Sequence, residues 1–164
     1  MQLRQCAVIT AFLTFPILAN AQEFSLTDTK GHLHTLDGHQ GKWVLVNLWA
    51  TWCAPCLAEM PDLEALSKSR IDLVVLGLAV DGQSAGRVKQ FAEKLQVTYP
   101  IIAGNAELAK QFKPKGYPTS IFYDKTGKQV LVKEGPINRQ EVETILNRQK
   151  ASLQPASSEK EVAR

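Results

Sequence analysis

The order of apolar and amphipathic segments predicts a three-layer α/β domain built on a mixed β-sheet. Three observations carry that prediction. Unbroken apolar runs at 43–49 and 73–80 lack the alternation of a half-exposed strand and read as central strands covered on both faces. Each is followed by a stretch of helical periodicity, the strand–helix–strand pattern of parallel units. The chain then continues with two strands joined by a short turn and a last helix. Its 164 residues suffice for a single domain with one core.

The first residues are expected to lie outside that fold. Met1-Gln2-Leu3-Arg4 is positively charged, a mostly apolar stretch covers 7–18, and Ala19-Asn20-Ala21 offers the small-x-small pattern of a signal-peptidase site. The expected organisation is a signal peptide over 1–21, a domain over 22–150 and a flexible polar tail over 151–164. The apolar stretch is too short for a permanent spanning helix, and an uncleaved N-terminal anchor is the alternative. Cys6 precedes the apolar region rather than closing it, which speaks against a lipidated cysteine.

Within the domain, apolar residues around 24–26 and 32–35 flank Asp28-Thr29-Lys30-Gly31, a hairpin turn. Gly38 to Gly41 form a loop into the first central strand. A helix is expected over about 55–68, with Met60, Leu63 and Leu66 inward and Pro55 at an early position where its missing N–H costs nothing. Pro61, inside that helix, should kink it. Ser84 can cap a helix bearing Val88, Phe91, Ala92 and Leu95 at i, i+3, i+4, i+7, with Lys89, Gln90, Glu93 and Lys94 as solvated surface. A short strand over 99–103 and a short helix capped by Asn105 follow. Strands at 119–123 and 129–134 are joined by Asp124-Lys125-Thr126-Gly127. Asn138, with Glu141 three residues on, opens the last helix.

A formal charge of +3 is too small to argue for nucleic acid, and 7% aromatic residues give no array of stacking platforms. Removal of the signal leaves only Cys53 and Cys56. They are two residues apart at a strand-to-helix junction, where unpaired N–H groups and the positive dipole end favour a thiolate. That is the setting for reversible thiol–disulfide exchange. A structural clip is the competing use, but closing so short a loop gains little chain entropy.

The run Trp49-Ala50-Thr51-Trp52-Cys53-Ala54-Pro55-Cys56, with Glu59-Met60-Pro61 behind it, resembles the thioredoxin superfamily. The similarity is to its exported TlpA/ResA/DsbE-like group of thiol–disulfide oxidoreductases. A second block, Gly116-Tyr117-Pro118-Thr119 with Asp124, Gly127 and Gly135-Pro136, agrees. The resemblance implies a thioredoxin fold with an N-terminal β-hairpin and a central helix–strand insert over about 84–103. It implies Cys53 as the exposed attacking cysteine and Cys56 as the buried resolving one. It makes Pro118 a cis-proline that offers Tyr117 backbone groups to substrate, and Trp52 an indole flanking the site. Asn47 stands where plain thioredoxin has a buried aspartate, which leaves the proton of Cys56 without an assigned acceptor. Some members of the group supply a glutamate after the next strand. Here that region holds Asp81, Gly82 and Gln83, so Asp81 is one candidate. Glu59, one turn after Cys56, is another that could act electrostatically, although a charge on an exposed helix face is the simpler reading.

The resulting expectation is an enzyme without cofactor that reduces disulfides of exported proteins in the periplasm. Apocytochrome c or copper-site proteins would be its clients and a DsbD-like membrane protein its electron donor, and it would act as a monomer. An oxidant of exported thiols is one alternative. A soft-metal module is another, needing a third donor beside the cysteines. His32, His34 and His39 read more simply as surface residues. A peroxidase of the peroxiredoxin kind would need a Pro-x-x-x-Thr-x-x-Cys arrangement that this chain lacks.

Overall fold

A computed structural model of the chain describes residues 23–153, with side chains through 148. The expected signal segment and the tail beyond 153 lie outside the described residues. A hairpin of β1 (Ser25–Thr27) and β2 (Leu33–Thr35) leads through a 3-10 turn into β3 (Trp43–Trp49), α1 (Ala54–Ser69) and β4 (Leu73–Ala79). The chain continues with α2 (Ala85–Lys94), β5 (Ile101–Ala103), α3 (Ala106–Ala109), β6 (Thr119–Tyr123), β7 (Gln129–Glu134) and α4 (Arg139–Leu153). The last helix thus extends into the stretch expected as tail.

Five strands form one sheet in the order β5-β4-β3-β6-β7. β3 pairs parallel with β4 and antiparallel with β6, so the sheet is mixed as expected. All seven residues of β3 are buried, which requires cover on both faces. The hairpin is a separate two-stranded sheet, pinned to the main one where Thr29 N donates to the Ile101 carbonyl at 2.8 Å.

The helix ends follow their capping residues. Ser84 Oγ accepts from Arg87 N, and Asn105 Oδ1 from Leu108 N. Asn138 and Glu141 form a reciprocal capping box, each side chain accepting the other's backbone N–H at 3.0 Å. α1 runs on through Pro61 to Ser69. On its inner face Glu64 is buried and accepts from Thr98 N (2.7 Å), Thr98 Oγ1 (2.6 Å) and Tyr99 N, with Lys68 Nζ at 2.8 Å. Burial alone would raise this carboxyl's pKa, but those partners outweigh it and hold it below the usual range. One carboxylate thus ties α1 to the strand-entry segment of the insert.

The histidines of the hairpin correct the surface reading. His34 is buried, with Nε2 3.2 Å from Asp28 Oδ2 and Nδ1 3.1 Å from His39 Nε2. Asp28 also accepts from the backbone of Lys30 and His32. Burial opposes its ionisation, yet these N–H groups and the two imidazoles hold it well below the carboxylate range. Burial, then the charges of His34 and Lys42, lower the pKa of His39. Only His32 stands in solvent as expected.

Close packing beside the sheet gives a first test. A Cβ added at Gly104 would sit 2.5 Å from Leu78 Cδ1 and 2.9 Å from the Ala79 carbonyl oxygen. A side chain can yield, but that backbone cannot. Gly104→Ala is expected to lower the urea midpoint by the equivalent of about 1–3 kcal/mol, the usual cost of overpacking. An unchanged midpoint would refute this.

Candidate redox site

β3 delivers its C-terminal end to a tight turn in which Cys53 N donates to the Ala50 carbonyl. Cys53 is the extended N-cap residue of α1, and Leu57 N closes the first helical bond onto its carbonyl. No side chain caps this end, so the first N–H groups of α1 stay available toward the Cys53 sulfur. The two cysteines form a disulfide with an S–S distance of 2.03 Å and Cα atoms 5.3 Å apart. Cys53 is 5% exposed and Cys56 0%. Both cysteines are buried, and Cys53, expected to be exposed, reaches the surface only narrowly.

β6 brings the second block to the same place. Its first residue, Thr119, lies opposite Leu48 of β3, so Tyr117 and Pro118 enter the sheet beside the loop carrying the cysteines. The Tyr117–Pro118 bond is cis. Trp52 is 69% exposed, and its ring meets that of Tyr117 edge-on at 6.4 Å. The rim therefore offers an indole, a phenol ring and the backbone beside Pro118.

Asp81 is tied to the loop before the cysteines through one of its two oxygens. Its Oδ2 accepts from Thr51 N at 3.1 Å and Thr51 Oγ1 at 2.5 Å, which fastens the loop two residues before Cys53. Its other oxygen is buried with no partner among the described residues.

Glu59 is the larger correction. It is 4% exposed rather than on an outer helix face. Its Oε1 accepts from Asn47 Nδ2 at 2.7 Å and its Oε2 from Ile137 N at 2.8 Å. Asn47 also donates to Ser120 Oγ, while its own Oδ1 has no partner among the described residues. Burial pushes the Glu59 carboxyl up to about 7, against the lowering effect of Asn47, the Ile137 N–H and the Lys133 charge. A buried acid thus stands on α1, one turn after Cys56, with Asn47 as its partner. Its position on the stripe of Cys56, Met60 and Leu63 was the available signal.

Among the described residues no group of three His, Cys, Asp or Glu is arranged to hold a metal ion. No helix there is long and apolar enough to cross a membrane. The peroxidase arrangement would need threonine at position 50 and proline at 46, where alanine and valine stand.

Residues 17–131 match the model of the AhpC/TSA family. The chain belongs to this family. Among its AhpC/TSA relatives, the thiol–disulfide oxidoreductase ResA of Geobacillus kaustophilus is 31% identical over 133 residues, covering 78% of this chain and 75% of the relative. The thioredoxin-like protein YneN of Bacillus subtilis is 32% identical, covering 77% and 76%. The exposed lipoprotein thioredoxin Etrx1 of Streptococcus pneumoniae superposes with a TM-score of 0.68 at 29% identity, covering 77% of this chain and 98% of its own. This AhpC/TSA member has the thioredoxin fold and is a thiol–disulfide oxidoreductase of the ResA type.

Proposed function

We propose that the protein reduces disulfides of exported client proteins, with Cys53 as nucleophile and Cys56 as resolving thiol. The observation that carries this reading is the Cys53–Cys56 pair at the uncapped start of α1, flanked by Tyr117 and Pro118. In the reduced protein the Cys53 thiolate attacks a client disulfide, forming a mixed disulfide and releasing one client thiolate. Cys56 loses its proton and attacks the Cys53 sulfur, which re-forms the internal disulfide and releases the second client thiolate. Two electrons pass to the client. Tyr117 and Pro118 backbone groups hold the client's extended segment, and Trp52 covers its side chain. In this reading Glu59, a buried acid one turn after Cys56 with its carboxyl pushed up to about 7, accepts the Cys56 proton. Asp81 holds the loop.

The periplasmic location, the cleaved segment 1–21, a DsbD-like membrane donor and a monomeric state complete the reading. Apocytochrome c haem-binding cysteines and copper-site proteins are the proposed clients. The test is the equilibrium potential of the Cys53–Cys56 pair, titrated against a dithiol buffer with thiol trapping read by mass. A value near or below roughly −270 mV is expected of a reductant; one near about −120 mV would make the protein an oxidant and overturn the proposed direction.

A further inference from the structure

Beside the redox pair, between the loop before Cys53 and helix α2, runs a groove of 340 Å³ lined by Thr51, Trp52, Gln83, Arg87, Phe91 and Lys94, with Gln90 at its edge. We propose that this groove is a client subsite, selecting an extended segment with carboxylate side chains a few residues from the client's cysteine. The inference rests on the disulfide-reducing reading above and adds the chemical class of the substrate.

Position is the first argument. Thr51 and Trp52 immediately precede Cys53, so a chain whose cysteine reaches Cys53 lays its neighbouring side chains over the groove. Chemistry is the second. The exposed Trp52 and the partly buried Phe91 give aromatic surface, and Gln83 and Gln90 offer amides. The charged groups on the lining are both cations. Arg87 has only a long 3.4 Å contact to Gln83 Oε1, and neither Arg87 nor Lys94 has a carboxylate partner among the described residues. The nearby Lys89 and Glu93 are an exposed pair of opposite charge, 4.0 Å apart. Asp81 is not on the lining: its Oδ2 accepts the Thr51 N–H and hydroxyl, and its Oδ1 is buried.

Spacing is the third argument. Residues 87, 90, 91 and 94 fall at i, i+3, i+4 and i+7, one stripe along α2. At about 1.5 Å per residue the two cations are about 10 Å apart along the helix. An extended client covers that distance in about three residues. Two carboxylates two to four positions apart would therefore meet Arg87 and Lys94 together. The helix–strand insert accordingly has a task beyond enlarging the domain: it forms the cationic wall of the client channel.

The test uses the reduced protein and three peptides of equal length, each holding one cysteine in a mixed disulfide with the same small thiol. Their flanks carry two Glu, two Gln or two Lys at the same positions. At low ionic strength the Glu peptide is expected to be reduced about five times faster than the Gln peptide, and the Lys peptide more slowly. The Glu-to-Gln ratio should fall toward unity in 0.5 M salt, roughly where screening acts within a few ångströms. It should also fall toward unity in Arg87→Gln/Lys94→Gln. In Lys125→Gln/Lys128→Gln, which removes the same charge from the turn at the far end of β6, it should persist. Equal reduction of Glu and Gln peptides, or an undiminished ratio in the α2 variant, overturns the subsite while leaving the enzyme a reductant. A protein that reduces none of the peptides overturns the parent reading as well.

Discussion

Cys53→Ser is expected to abolish disulfide reduction, a loss of about 10³-fold or more, because the remaining thiol cannot replace it. Cys56 is fully buried beneath the first turn of α1, so no client disulfide can reach it. Cys53, as the N-cap residue, has both the narrow exposure and the helix N–H groups that favour its thiolate. The complementary variant fails differently. Cys56→Ser retains the attacking thiolate but lacks the group that resolves the intermediate, so a client remains bound through a disulfide to Cys53. Incubation with a disulfide-bonded peptide followed by mass measurement should show protein plus one peptide strand, released by dithiol reductant. Full turnover in either variant, or trapping through Cys56 in the Cys53 variant, would contradict the assigned order of attack.

Glu59→Gln should change how stability depends on pH. The carboxyl is raised from 4.5 to about 7 in the folded protein. Below pH 4.5 both folded and unfolded forms hold the proton. Between 4.5 and 7 the folded form keeps a proton that the unfolded chain has released, so this group's contribution falls as pH rises across that window. At about 1.4 kcal/mol per pKa unit the total is about 3 kcal/mol. Glutamine does not titrate, so the difference in stability between variant and wild type should move in the variant's favour by about that amount from pH 4.5 to 8. Urea midpoints of the oxidised proteins at the two pH values measure it. Asp28 and Glu64, whose carboxyls are shifted downward, titrate identically in both proteins and cancel. A difference independent of pH would mean that Glu59 titrates alike in the folded and unfolded protein. The same variant should slow release of the reduced client from the mixed disulfide near neutral pH, where Cys56 would lose its proton acceptor.

Most of the fold was readable because its signals are local. The turn residues Asp124 to Gly127, the capping pair Asn138 and Glu141, and the apolar run of β3 each specify their element without reference to the rest of the chain. The cysteine pair was legible for the same reason, through its junction of strand and helix. What escaped was polar and buried. Glu59 and Glu64 share the inward stripe of α1 with Met60 and Leu63, yet a carboxylate on a helix reads as solvated until its partners are known. Those partners come from other elements, Asn47 from the preceding strand and Ile137 and Thr98 from segments far along the chain. In β2 the pattern misled directly: Leu33 is 63% exposed while His34 turns inward onto Asp28. A three-residue strand offers too little alternation to fix its register from hydropathy alone. Lys89 and Lys94 of α2 were placed at the surface, but only the approach of the Thr51–Trp52 loop gives that surface a concave shape.

The register of β3 against β6 has a consequence for timing. Asn47 and Ser120 are 73 positions apart yet hydrogen-bonded, and Thr119 must lie opposite Leu48 before Tyr117 and Pro118 flank the cysteines. Such distant pairings are slow to form, since the intervening chain must first surrender its entropy. The thiols are made early in synthesis, but the pocket that directs their chemistry exists only once the centre of the sheet has closed. Until then Cys53 and Cys56 are ordinary cysteines, and client selectivity is a late acquisition of folding.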